Sequence, residues 1–119
     1  MRSHIVFFRL MSPDRAYSPQ AREAARLLGA QIRLARHERR WTLQELADRI
    51  GVTHVTAGKI ERGEMTVRLG VALEAAAVLG VPLFHPDPSR LTLEARRAEE
   101  RLALLPQTVR HPTRIDDDF

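Results

Sequence analysis

The chain has 119 residues, 44% of them apolar and 5% aromatic, which is enough for one domain with a modest core of Leu, Ile, Val and Ala. It contains no cysteine, which excludes disulfides and thiolate chemistry. The chain has 19 Lys and Arg residues and 15 Asp and Glu residues. Three of the acidic residues lie at 116–118, so residues 1–115 carry 19 positive and 12 negative groups, a net charge of +7. This basic body indicates a polyanionic partner, although charge alone is equally compatible with an arginine-rich protein that has none.

Residues 1–17 predict a flexible N-terminal arm. The apolar run IVFFRLM, residues 5–11, is too short and is interrupted too early by Arg9 to span a membrane or to form the apolar region of a secretory signal. The run therefore predicts a short strand or part of an arm, and we expect no membrane partner.

Residues 18–85 predict a single helical domain, and its first helix is the longest. Ser18 followed by Pro19 is typical of a helix start, and apolar residues at helical spacing extend the helix to about residue 38. The apolar positions, with arginines on the other face, are Ala21, Ala24, Ala25, Leu28, Ile32 and Ala35.

Two short helices follow in close succession. Thr42 and Glu45 form a capping box for the first, LQELADRI, which ends at Gly51. Thr53 caps the second, which runs to about Glu61. The residues predicted to face inward are Leu43, Leu46, Ala47, Ile50, Ala57 and Ile60.

A fourth helix and a brief fifth turn complete the predicted domain. Thr66 is the predicted cap of the fourth helix, Gly80 ends it, and VPLF at 81–84 predicts the fifth turn. No segment of the chain predicts a sheet. The inward residues of the fourth helix are Leu69, Leu73, Ala76, Ala77 and Leu79.

Residues 86–105 predict a hinge and a C-terminal helix, and residues 106–119 an acidic-tipped tail. Apolar residues alternate steps of four and three along this helix, which Pro106 ends. A helix of about 14 residues is marginal alone in water. We therefore expect its apolar seam to fold back on the domain, pair with its copy or dock on another protein. The seam is Leu91, Ala95, Ala98, Leu102 and Leu105.

The stretch GVTHVTAGKIERGE, residues 51–64, first suggests a phosphate-binding loop because glycine precedes Lys59. That motif needs a glycine where this chain has Thr53, and a hydroxyl directly after the lysine, where it has Ile60. The preceding segment predicts a helix instead of the strand that such a loop follows. A phosphate-binding loop is therefore rejected.

The same stretch matches a helix-turn-helix. Gly51 permits the turn, Val52 lies beneath both helices, and Thr53 caps the second helix. The second helix then presents residues 54, 55, 58 and 59 outward, toward a DNA major groove.

The segment WTLQELADRIGVTHVTAGKIERGE resembles the helix-turn-helix of the Xre/Cro/C1 repressor family, and the likeness extends from about Leu28 to Leu83. Its most specific parts are LADRIGV and KIERGE, followed by a helix ending in LGVPL. The resemblance implies an all-α fold, a five-helix lambda-repressor-like domain with an additional C-terminal helix and tail. It also implies a bacterial cytoplasmic protein that joins the nucleoid when bound to a double-stranded DNA operator.

The resemblance assigns roles to individual side chains. His54, Val55 and Lys59 fall where base-contacting side chains lie, whereas hydroxyls and Arg62 fall where relatives approach phosphates. Arg36 and Glu61 match a pair that ties the first helix to the end of the recognition helix. The implied DNA-binding set is Thr42, Thr53, His54, Val55, Thr56, Lys59 and Arg62.

Three positions depart from the family pattern. Leu43 replaces a polar residue that commonly contacts DNA, and Ala57 replaces a larger buried residue. Gly58 lies inside the recognition helix, where glycine costs roughly 0.5–1 kcal/mol relative to Ala. These departures predict a recognition helix that is less rigid than usual.

The sequence offers no catalytic or metal-binding constellation. The histidines at 4, 37, 54, 85 and 111 lack ligand spacing, and no nucleophile–base set or paired carboxylates can be assigned to a cleft. We therefore expect no enzymatic activity, no metal and no cofactor.

The C-terminal segment, RRAEERLALLP followed by a basic stretch and DDDF, resembles the end of HipB-like antitoxins, repressors encoded beside HipA-like kinase toxins. This implies a homodimeric autorepressor that also binds a kinase toxin through Asp116, Asp117, Asp118 and Phe119. The alternative is a stand-alone regulator of phage or restriction-control type, with the C-terminal helix serving dimerisation. A solubilising acidic tail, or a protein-interaction role without DNA binding, also remains open at this point.

Overall fold

The computed structural model describes residues 16–109, in two compact units that divide the chain between Leu83 and Phe84. The all-α prediction is confirmed within these residues. The predicted strand or arm at 5–11 and the acidic tip at 116–119 lie outside them. The helices are α1 (Pro19–Glu38), α2 (Leu43–Ile50), α3 (His54–Glu61) and α4 (Leu69–Val78) in the first unit, and α5 (Pro88–Ala103) in the second.

Local side-chain caps start the first three helices, as their sequences predict. The Ala21 amide donates to Ser18 Oγ at 3.1 Å, one residue before Pro19 begins α1. At α2 the capping box is complete, since the Glu45 amide donates to Thr42 Oγ1 at 3.0 Å and the Thr42 amide donates to Glu45 Oε1 at 2.7 Å. These bonds satisfy amides that have no partner within their own helix.

The start of α4 differs from its prediction. Thr66 does not cap it; the N-cap is Arg68, and no side chain accepts a hydrogen bond there. Residues 65–67 lie instead in turns and bends, with Val67 packed against the core. Burying that valine outweighs the local capping preference, so the helix begins only at Leu69.

The inward face of α4 agrees with its prediction only in part: Ala76 and Leu79 are buried in the core as expected. Leu69 is 73% exposed and Ala77 is exposed, although both were expected to face inward. The side that packs on the core carries Val71, Ala75 and Leu79, which are spaced by four residues.

The fifth turn predicted at 81–84 is not helical. Gly80 has a positive φ of 73°, and the Val81 amide donates to the Ala76 carbonyl at 2.8 Å, which closes α4 in a Schellman-type end. Phe84 also has a positive φ, 65°, so the backbone leaves the right-handed helical region twice within five residues. The domain therefore has four helices in the described chain.

The core of the first unit is small and aliphatic. Trp41 packs on its edge, with the guanidinium carbons of Arg39 and Arg49 at 5.4 and 4.1 Å from the ring centre. Arg39 also donates to the carbonyls of Val78 and Leu79 at 3.1 and 3.2 Å, which satisfies the end of α4. The buried cluster consists of Ile32, Leu46, Ile60, Ala75, Ala76, Leu79 and Val81.

Two glycines let α1 approach the end of α3 backbone to backbone. A Cβ on Gly29 would lie 2.6 Å from the carbonyl oxygens of both Ile60 and Glu61. A Cβ on Gly63, whose φ is 72°, would lie 2.8 Å from the Ala25 carbonyl oxygen. No larger residue fits at either point without separating the two helices.

The second unit consists of α5 and its flanking segments. The helix begins at Pro88, inside the predicted hinge, because the Asp87 side chain accepts hydrogen bonds from the Ser89 hydroxyl at 2.8 Å and the Ser89 amide at 3.0 Å. Those bonds, the hydroxyl bond first, lower the pKa of Asp87. No residue of α5 is buried, and Leu102 and Leu105 of the predicted seam are 65% and 60% exposed.

We predict that Gly29→Ala destabilises the first unit by about 1–3 kcal/mol, because the new methyl group meets rigid backbone atoms. The control is Gly70→Ala in α4, where a Cβ meets no atom within 4 Å. That change should be neutral or stabilise by up to about 1 kcal/mol, through helix propensity. Urea denaturation followed by circular dichroism measures both, and equal midpoints for the two variants would contradict the close approach of α1 and α3.

Candidate nucleic-acid interface

The turn between α2 and α3 orients the exposed helix of the first unit. Gly51 adopts the left-handed conformation at φ 72°, and the half-buried Val52 donates its amide to the Ala47 carbonyl at 3.0 Å. Thr53 then caps α3 by accepting the Thr56 amide at 3.1 Å. The geometry is that of a helix-turn-helix with a three-residue connection.

The side chains on the outer side of α3 are free to meet a ligand. His54 and Val55 are exposed, Val55 by 62%, and Lys59 is half-buried. Within the described chain, neither His54 nor Lys59 makes a side-chain hydrogen bond or ion pair. The inward side carries Ala57 and Ile60, both buried.

Gly58 is buried and does not face outward, contrary to the prediction from the sequence. A Cβ there would lie 3.1 Å from Arg62 Nη1 and 3.7 Å from Leu43 Cδ2. The missing side chain thus leaves room for the Arg62 guanidinium to lie back along α3. Gly58 lowers the helix propensity of α3, but it also has this packing role.

The threonine hydroxyls near α3 and α2 differ in whether capping leaves a proton available for a ligand. The Thr53 hydroxyl donates to Thr56 Oγ1 at 3.2 Å while accepting the Thr56 amide, so it is occupied on both counts. The Thr56 hydroxyl therefore keeps its own proton for an external acceptor. At the start of α2, exposed Thr42 uses its Oγ1 as the acceptor of the capping box and likewise retains a hydroxyl proton.

A cleft of about 380 Å³ runs beside α3. Its polar and charged lining residues on the α3 side include Thr53, Thr56 and Lys59, and those on the far side are Thr66 and Arg68. The lining contains two cations and no carboxylate. The sequence alone does not indicate that Thr66 and Arg68 line this cleft, because its pattern predicts Thr66 as a helix cap.

Arg36 and Glu61 join α1 to the last residue of α3. Arg36 Nε donates to Glu61 Oε2 at 2.6 Å and Nη2 donates to Oε1 at 3.0 Å, a two-point pairing between side chains only 9% and 7% exposed. Arg36 Nη1 donates to the Trp41 carbonyl at 2.8 Å. Every carboxylate oxygen thus has a donor, as a buried charge requires.

Arg62 follows directly as the C-cap residue of α3. Its Nε pairs with Glu64 Oε2 at 3.0 Å, but the Arg62 side chain is 61% exposed, and its other donors make no hydrogen bond or ion pair within the described residues. The proposed partner-binding residues 116–119 lie outside the described residues, so the structure does not test them.

Residues 32–85 match the family model described as helix-turn-helix. This part of the chain is therefore a helix-turn-helix domain of Xre/Cro/C1 type, the kind of domain that DNA-binding transcription regulators carry. No curated protein and no solved structure matches the chain, and no match supports the resemblance of its C-terminal part to HipB-like antitoxins.

Two further observations concern other kinds of site. No helix within residues 16–109 is long and apolar enough to cross a membrane. Across the same residues, no group of three His, Asp or Glu side chains is placed to hold a metal ion.

We predict that Glu61→Gln lowers the free energy of unfolding by about 1–3 kcal/mol, because it leaves the buried Arg36 guanidinium without its counter-charge. The control is Glu23→Gln, whose ion pair with Arg26 spans 2.9 Å between side chains 66% and 65% exposed. That exposed pair should contribute less than about 1 kcal/mol. Thermal unfolding compares the two, and an unchanged Tm for Glu61→Gln would refute the role of the pair.

Proposed function

We propose that this protein is a sequence-specific transcriptional repressor that binds a double-stranded DNA operator as a homodimer. The observation that carries the proposal is the outer side of α3, where His54, Val55 and Lys59 are free of intramolecular partners beside a cationic cleft. A short helix of this kind fits the DNA major groove.

Each of these three side chains suits a different base edge. Lys59 can donate to guanine O6 and N7, His54 can donate or accept, and Val55 can pack on a thymine methyl group. Other groups suit the phosphate backbone, which fixes the register but carries no base information. They are the hydroxyls of Thr42 and Thr56, Thr53 at the cap of α3, and the guanidinium of Arg62.

Dimerisation follows from the size of the recognition element. α3 has eight residues, so one copy contacts too few base pairs for useful selectivity in a genome. Two copies on half-sites about one helical turn apart double the recognised sequence. We therefore expect a two-fold symmetric operator.

We further propose that the protein is an antitoxin whose C-terminal part binds a HipA-like kinase toxin. The support is the resemblance of the last thirty residues to HipB-like antitoxins and two exposed apolar side chains, Leu102 near the end of α5 and Leu105 just after it. The acidic tip with its terminal Phe119 offers charge and one aromatic anchor to a basic partner surface. The alternative is a stand-alone regulator, in which the same seam of α5 pairs with a second copy.

The DNA-binding proposal is tested with an operator selected by the wild-type protein from random duplexes. Lys59→Ala should weaken binding to that operator by roughly 1–3 kcal/mol and relax preference at one base position. Arg62→Ala should weaken all duplexes more evenly and flatten the salt dependence. A silent Lys59→Ala would show that the recognition-helix register is wrong, and a monomer bound to a single half-site would contradict the dimer.

The antitoxin proposal is tested by deleting residues 116–119. The deletion should leave operator affinity unchanged, since carboxylates next to a phosphate backbone are repulsive, and should abolish capture of a co-expressed kinase encoded by a neighbouring gene. Loss of DNA binding with kinase capture intact is the result that would overturn this assignment. A neighbouring gene without a kinase-like reading frame would favour the stand-alone regulator.

A further inference from the structure

A second cleft, of about 360 Å³, lies where the first turns of α1 meet the turn after α3. Arg22 and Arg26 line it from α1, and Arg62, Gly63, Glu64 and Thr66 line it from the opposite side. Both sides belong to the first unit. The Gly29 and Gly63 contacts hold them together through backbone atoms, so the cleft is preformed.

The cleft is rich in uncommitted hydrogen-bond donors. Within the described chain, the Arg22 side chain makes no hydrogen bond or ion pair. Arg26 pairs with Glu23 and Arg62 pairs with Glu64, but these arginines are 65% and 61% exposed, where ion pairs contribute little. Each guanidinium has five N–H donors, so most remain available in every case.

Three guanidinium groups face a single lining carboxylate, that of Glu64. Such an arrangement suits an anion with several acceptor oxygens, and guanidinium groups match phosphate oxygens in two-point geometry. The ligand chemistry is therefore a phosphate group, either free or part of a polymer.

The surroundings favour the polymer. The cleft opens beside Arg62, the C-cap of the helix that carries Lys59 and His54, so it continues the candidate DNA surface. Thr66 lines both this cleft and the one beside α3, so the two clefts adjoin. Together they offer cations on either side of α3, as a strand with repeated phosphates requires.

We propose that Arg22 and Arg26, together with Arg62, form a binding site for the DNA phosphate backbone outside the recognition helix. The α1 side of this site lies before residue 32, where the match to the helix-turn-helix family model begins. The first turns of α1 thus extend the contact with the duplex beyond the segment that the domain itself recognises. This inference rests on the proposed DNA binding and adds residues that contribute affinity without base selectivity.

The first experiment measures duplex binding by the full-length Arg22→Ala/Arg26→Ala variant, on the selected operator and on an unrelated duplex, between 50 and 300 mM salt. We expect affinity for both duplexes to fall about tenfold, and the slope of log K against log salt to decrease in magnitude by about 2, from two lost phosphate contacts. The matched control is Arg90→Ala/Arg97→Ala on α5, which likewise removes two exposed arginines, both paired with Glu94. Its slope should be unchanged.

Two variants separate binding from structural damage. Glu64→Gln removes the competing carboxylate and should raise affinity for both duplexes about threefold, a gain that a damaged fold cannot produce. Glu94→Gln on α5 is its control and should have no such effect. Arg22→Lys/Arg26→Lys keeps the charge and should retain the salt slope, with affinity between wild type and the alanine variant.

The outcomes are distinguishable. If the Arg22→Ala/Arg26→Ala variant binds duplexes like its control while Lys59→Ala still loses the operator, the cleft proposal is wrong and the proposed function stands. If wild type binds no duplex, both fail together. Isothermal calorimetry with inorganic phosphate, on wild type and on the alanine variant, tests whether the cleft binds a free phosphate instead of DNA. Phosphate binding that the variant loses, with unchanged duplex affinity, would overturn the assignment to DNA.

Discussion

The buried pair of Arg36 and Glu61 is the interaction on which the geometry of the first unit depends. It joins the last turn of α1 to the last residue of α3, and Arg36 also donates to the carbonyl of Trp41, two residues before α2 begins. One guanidinium therefore relates three helices. Both charged groups are buried, so the loss of one leaves the other without a counter-charge. The pair therefore tolerates little change in the angle between α1 and α3. The close backbone approach at Gly29 acts at the same junction through steric contact.

This support from outside compensates for the weak intrinsic stability of α3. An eight-residue helix with an internal glycine does not persist alone in water. Thr53 fixes its first turn, Ala57 and Ile60 bury its inner side, and Glu61 anchors its end. A recognition helix can therefore carry residues chosen for contact with a ligand, because its conformation is maintained by packing and capping more than by propensity.

The charged surface is organised around the same helix. Its side chains Thr56 and Lys59 line one cleft, which Arg68 shares, and its C-cap Arg62 lines the other, which Arg22 and Arg26 share. Positive charge at both clefts would hold a duplex in register while the side chains between them contact bases. The net charge of the chain alone does not distinguish this arrangement from evenly scattered arginines.

The sequence by itself determined the features that depend on neighbours along the chain. The caps at Ser18, Thr42 and Thr53 were predicted correctly, because a cap involves residues within about four positions of each other. Tertiary packing decided the rest. Burial of Val67 overrode the predicted cap at Thr66, and Gly58 proved to be an inward position covered by Arg62. The cleft between Arg22 and Arg62 joins residues forty positions apart, and only the folded backbone contact at Gly29 and Gly63 brings them together, since no local pattern records which distant helices touch.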